Sequence, residues 1–144
     1  MAKFVLSSVD YDQGGGSVPS AIPELRQQLP VTAKLSRRMA GPDRDDYAFS
    51  VLERPIKYHP PAQFDWTRPQ SEFVATDAEG QFVWIYAIIV CSLFAGTQVH
   101  PGMKAFPVRV AYVIDNTLGR DAQVDFHKCD YLAQGFISDL PDDQ

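Results

Sequence analysis

The sequence predicts a mainly β domain. An antiparallel β-sandwich with one short helix is the first choice and a closed β-barrel the second. Three observations point there. Aromatic residues make up 12% of the 144 residues, and many sit in β-branched company. Several segments alternate apolar and polar residues with the period of two that wets one face of a strand. The connections are rich in Gly, Asp and Pro, with eleven prolines in all. An α+β roll is the third arrangement, reached if residues 20–30 and 130–140 are both helical.

Length sets one domain, spanning 1–144. A chain of this size buries roughly 70% of its unfolded surface, enough for a core without staples.

Residues 3–9, KFVLSSV, form the first expected strand. The stretch DYDQGGGSVPS (10–20) reads as a mobile loop, because three consecutive glycines carry no side chains to pack. SAIPELRQQLP (20–30) is the expected helix. Ser20 can cap it, Pro23 suits its first turn and Pro30 ends it.

VTAKLSRRM (31–39) sets Val31, Ala33 and Leu35 against Thr32, Lys34, Ser36 and Arg38, a strand with one wet face. After the turn AGPDRDD, YAFSVLER (47–54) puts Tyr47, Phe49 and Val51 on one face and Ala48, Ser50 and Leu52 on the other. The two read as an antiparallel hairpin. Residues 54–70 hold four prolines, which limits any strand there to a short or edge piece.

SEFVATD (71–77) and the run from Gln81 read as strands around DAEG. KAFPVRVAYVID (104–115) and DAQVDFHKC (121–129) are two more. Residues 130–141 fit a helix and an extended segment equally well. The last four, PDDQ, form a frayed acidic tail.

The run from Gly80 to Lys104 has no formal charge inside it if His100 is neutral. Its continuous apolar part, Phe82 to Ala95, is 14 residues long, whereas a membrane helix needs about 20. Its Phe, Val, Trp, Ile and Tyr are strand formers. It is therefore expected as a central strand buried on both faces, with Trp84, Ile88 and Val90 on one and Ile85, Ile89 and Cys91 on the other. No membrane span is expected, and the N-terminus lacks a signal-peptide core, so the expected compartment is cytoplasmic.

Thirteen basic residues face eighteen acidic ones, a net charge of −5. This argues against a phosphate-backbone binder, so no nucleic-acid partner is expected. The charge is uneven. Residues 24–57 hold seven basic and five acidic side chains, while 115–144 hold seven Asp against Arg120 and Lys128.

Cys91 and Cys129 read as buried reduced thiols, with a single bridge as the alternative. His59, His100 and His127 have no metal-ligand spacing, and the acidic loops DYDQGGG and GPDRDD lack the ordered oxygens of an EF-hand. No metal and no cofactor are expected.

Asp125, His127 and Cys129 would share one strand face and form the only local catalytic candidate. The chief binding candidates are Tyr58, His59, Phe64, Trp66 and Arg68. They lie in a Pro-stiffened aromatic loop of the kind that presents rigid contacts to a sugar or a protein.

Three functions follow, in order. The first is a non-enzymatic interaction or assembly module whose partner is a protein or a second copy of itself. The second is a small-ligand or carbohydrate binder using the loop aromatics. The third is a Cys/His-dependent enzyme.

Overall fold

Backbone hydrogen bonding in this computed structural model runs through seven antiparallel strands, six of which close on themselves. The structure describes residues 3–12, 27–41, 44–58, 73–76, 83–93, 106–113, 123–125 and 129–139. The strands are β1 (Lys3–Asp12), β2 (Val31–Met39), β3 (Tyr47–Tyr58), β4 (Val74–Thr76), β5 (Val83–Ser92), β6 (Phe106–Val113) and β7 (Cys129–Asp139).

The sheet order is β3-β2-β1-β7-β6-β5-β4, and β3 also pairs with β5. That extra pairing makes a closed six-stranded barrel rather than the sandwich placed first from sequence. Burial on both faces of the strands suggested two stacked sheets. The outer faces are instead packed by described residues of the connections, Phe73 and Val124 among them. The short helix expected at 20–30 is not seen among the described residues. Residues 27–30 form a turn and an extended piece, and the rest of that stretch lies outside the described residues.

The interior follows from the alternation. Leu6, Val31, Ala33, Ala48, Leu52, Ile56, Val83, Ile85, Ile88, Val90, Val108, Val110, Tyr112 and Ile137 form one cluster drawn from all six barrel strands. A six-stranded barrel is narrow, and side chains fill it. A second cluster lies outside, over β2, β3, β5, β6 and the start of β7: Met39, Tyr47, Phe49, Ala87, Ile89, Cys91, Ala111, Val113, Val124 and Cys129. Described residues of the connections pack on it. Phe73 packs edge-on against Phe49 with ring centroids 5.2 Å apart. The Val124 N–H donates to the Ala40 carbonyl at 2.6 Å, beside a parallel bridge between Ala40 and Gln123.

Residues 121–129 were expected as a strand. Among those described, Gln123 makes only this bridge, and β7 begins at Cys129. The ambiguous segment after it is strand to Asp139. At the other end, β1 runs three residues into the stretch read as a loop, reaching Asp12.

Register shifts adjust the faces, and those on β3, β2 and β7 matter most here. On β5, Val83 and Ile85 line the interior, but so do Ile88 and Val90, while Ala87, Ile89 and Cys91 face the outer cluster. Alternation therefore slips one residue at Tyr86. Opposite that point β3 inserts Leu52 to Pro55 between the pairs Val51↔Ala87 and Ile56↔Ile85. Pro55 has no N–H to give a ladder, so the break falls where pairing would fail anyway. A bulge at Ser36 on β2 works similarly. It sets Arg37 opposite Phe49 on the outer face and Arg38 opposite Ala48, whose side chain lies inside. Arg38 was expected on the wet face with Lys34; beyond the bulge it follows the inner one. On β7, Cys129 pairs with Val113 and Leu132 with Ala111, which inserts one residue there.

The two-faced burial of β5 holds, except at Trp84. Ile85, Ile88 and Val90 are fully buried, and Ile89 and Cys91 are 2% and 1% exposed. Trp84 is half-buried, with the Lys57 ammonium 5.7 Å from its ring centroid. Each fully buried Ile contributes roughly 1.5–3 kcal/mol through area removed from water.

Truncation should therefore hurt on both faces. Ile88→Ala and Ile89→Ala are each expected to cost about 2–5 kcal/mol in urea unfolding. Lys34→Ala, on the solvent face, should stay within about 0.5 kcal/mol. An Ile89→Ala cost near that of Lys34→Ala would mean the outer layer does not pack.

Candidate functional site

Of the loop residues singled out from sequence, only the Tyr58 backbone is described. Its register opposes Val83, at the last rung of β3 against β5. His59, Phe64, Trp66 and Arg68 lie outside the described residues, as do His100 and His127.

The Asp125–His127–Cys129 reading falls partly outside the described residues, since 126–128 are not among them. Strand alternation was to make these neighbours, but Asp125 precedes β7 and Cys129 opens it. Cys129 is 9% exposed and packs in the outer cluster.

The bridge between the two thiols is also ruled out by register. Cys91 opposes Arg109 and Cys129 opposes Val113, on either side of β6. Four residues of rise is about 13 Å, with two strand spacings of about 4.8 Å across it. A disulfide needs Cα atoms within about 7 Å. Both cysteines are free and buried.

One polar cluster is built with care, where β2 and β5 end and β3 begins. The Arg44 guanidinium grips both carboxylate oxygens of Asp46, through Nε to Oδ1 and through Nη2 to Oδ2 at 2.6 Å. Its Nη1 donates to the Ser92 carbonyl at 2.7 Å, at the last residue of β5. Asp46 is buried, and the Gly41 N–H donates to the Arg44 carbonyl at 2.6 Å to close the turn. Only glycine fits at Gly41, because a Cβ there would collide with the Tyr47 ring. The sequence GPDRDD was weighed as a turn and a weak Ca²⁺ loop. Asp46 instead spends its oxygens on Arg44, which makes this a clasp between strand ends. The signal was an arginine set among three aspartates, a pattern that suits a bidentate pair as well as a cation.

The hydrogen bond from Arg44, helped by its charge and that of Arg38, holds the Asp46 carboxyl below its usual range. The Arg44 guanidinium is pushed up by the same hydrogen bond, and the Cys91 and Tyr47 side chains add to the shift.

A second small clasp sits where the chain enters β2. The Gln28 side-chain amide imitates a strand, accepting from the Lys57 N–H and donating to the Lys57 carbonyl, both at 2.7 Å. Arg54 donates to the carbonyls of Gln28 and Pro30, each at 2.9 Å. Leu29 thereby packs against the interior cluster.

Among the described residues, open side chains gather on the outer face of β1, β2 and the end of β7. It presents Phe136, Val5, Ser7, Thr32, Lys34, Ser36 and Arg37 as half-buried or exposed side chains. Phe136 is the only large apolar side chain exposed among the described residues, at 38%. The sequence did not mark it, because the surrounding segment could be assigned to neither helix nor strand.

No helix among the described residues is long and apolar enough to cross a membrane. Comparison with protein-family models, with curated proteins and with solved structures finds no match to this chain.

The clasp gives a stability expectation with a definite sign. Asp46 has a lower pKa folded than unfolded, so folding favours its ionised form. Its contribution is complete above the unfolded value of about 3.9 and is lost as pH falls through the lower folded value. Asp46→Asn should cost about 1.5–3 kcal/mol near neutral pH, the worth of hydrogen bonds to a charged group. In urea melts the gap from wild type should narrow as pH falls below the unfolded value of about 3.9 and close once pH passes the lower folded value. A gap that is constant with pH would refute the clasp.

Proposed function

We propose that this protein is a non-enzymatic interaction module that self-associates through the outer face of β7, β1 and β2. One observation carries the reading. The barrel interior is occupied by the protein's own side chains, and the opposite outer face is covered by its own connections. Among the described residues, the outer side chains of β7, β1 and β2 are the surface that supports a partner, and Phe136 stands exposed there.

The covered face of β5 is not offered as the interface. A run this apolar could have been a subunit contact had one side stood open, and it does not. Phe136 has the features of an interface anchor. It is a large aromatic, and its backbone is fixed on both sides, by Ser8 on β1 and Pro107 on β6. The Ser7 hydroxyl donates to its carbonyl at 2.9 Å. An anchor held in place loses little freedom on binding.

A second reading, a small-ligand or carbohydrate-binding domain, draws on Trp84. Its half-open ring lies beside Lys57, next to the point where the aromatic loop leaves β3. A chain that stays monomeric but gains thermal stability with a sugar would support it over the first.

Light scattering across a concentration series tests the first reading. The mass should rise above 16.1 kDa with concentration. Phe136→Ser should shift the rise to about tenfold higher concentration, as losing an interface anchor of about 1.4 kcal/mol would. A wild-type mass that never leaves the monomer value would sink it.

A further inference from the structure

We propose that residues 27–30 are a releasable strap, and that the edge of β3 beneath it receives an extended segment of a partner protein. The inference concerns a different surface from the self-association reading and is independent of it.

β2 stops short of β3. Ala33 opposes Leu52, and the same register carried on would set Leu29 opposite Ile56 and Gln28 opposite Lys57. The backbone cannot pair that far, because Pro30 has no N–H to give a ladder. β3 nevertheless runs on to Tyr58. A strand in this place would meet the Lys57 N–H and carbonyl with the N–H and carbonyl of one residue. The Gln28 side-chain amide meets them instead, accepting from one and donating to the other, both at 2.7 Å. The edge is thus shaped for an extended backbone and filled by an imitation of one.

The imitation states the chemistry of the true occupant. It needs a backbone donor and acceptor at the Lys57 rung. It also needs an apolar side chain in the seat of Leu29, which is half-buried against the interior cluster that holds Ile56. An extended peptide with one inward apolar residue supplies both, in the manner of strand addition. The β3 edge of a second copy suits the place less well. A two-fold pairing centred on this rung would set one Lys57 directly against the other, and like charges so placed are destabilising.

The strap is held lightly. Gln27 and Pro30 are exposed, and Gln28 and Leu29 are half-buried. Besides the Gln28 amide, the latch is Arg54, itself exposed, which donates to the carbonyls of Gln28 and Pro30 at 2.9 Å each. Solvent-exposed hydrogen bonds with few apolar contacts mark the segments that open before the rest of a fold.

Amide exchange and fluorescence anisotropy test this together. The probe is a short fluorescein-labelled peptide of alternating threonine and leucine. In Gln28→Ala the Lys57 amide should exchange about tenfold faster than in wild type, as a more populated open state requires, while the Ile89 amide is unchanged. Adding the peptide should restore the protection. Gln28→Ala should also bind the peptide about tenfold tighter than wild type, because less of the protein is held in the closed state. Arg54→Ala spares Gln28, should tighten binding in the same direction, and serves if Gln28→Ala fails to fold by circular dichroism. A Lys57 amide that exchanges alike with and without Gln28 would overturn the strap. Equal peptide affinity in wild type and both variants, or none in any, would overturn the docking edge. A Gln28→Ala protein that dimerises and excludes the peptide would put a second copy on the edge and overturn the foreign segment.

Discussion

The structure depends on β5 having no wet face. Ten residues from Val83 to Ser92 hold no charge, and only Trp84 and Tyr86 reach even a half-buried state. Such a strand cannot sit at an edge or line a solvated sheet without exposing apolar area. Pairing with β3 on one side and with β6 and β4 on the other satisfies its backbone and places it in the closed wall. The wall then has an inside, filled from all six strands, and an outside that must be covered. The long connection from β6 to β7 answers the second need. A hairpin would join these neighbours in two to five residues. Here fifteen intervene, and their described part lies against Ala40 and the outer cluster.

The polar devices cluster where this arrangement would otherwise fail. Closing a barrel leaves strand ends whose backbone groups have no ladder partner. Arg44 takes the Ser92 carbonyl at one end, and its own charge is balanced by Asp46. Gln28 and Arg54 do similar work at the entry to β2, on Lys57, Gln28 and Pro30. These side chains sit at strand ends, and their first duty is architectural. The ion pairs of Glu53 with Lys3 and Lys34, on partly exposed side chains, add little to stability.

Much of this could be read from the chain. The alternation of 31–35 and 47–52 gave the correct faces, and the residue types of 82–95 gave a strand covered on both sides. What could not be read has physical causes. Sandwich and barrel differ by one long-range pairing, β3 with β5, and periodicity within a strand carries no record of its partner. The inward turn of Arg38 and the outward turn of Trp84 follow from bulges, which shift every later side chain by one face. Phe136 was illegible as a surface residue because its segment has Gly135 and no clean period.

The central claim is that the outer face of β5 is as dry as the inner one in a single chain. Paramagnetic broadening of isoleucine methyl resonances by a soluble nitroxide measures this directly, in dilute monomer at high salt. Ile85 and Ile88, inside, and Ile89, outside, should be spared alike. Broadening of Ile89 with Ile88 untouched would contradict the claim and make the outer face of β5 an open surface.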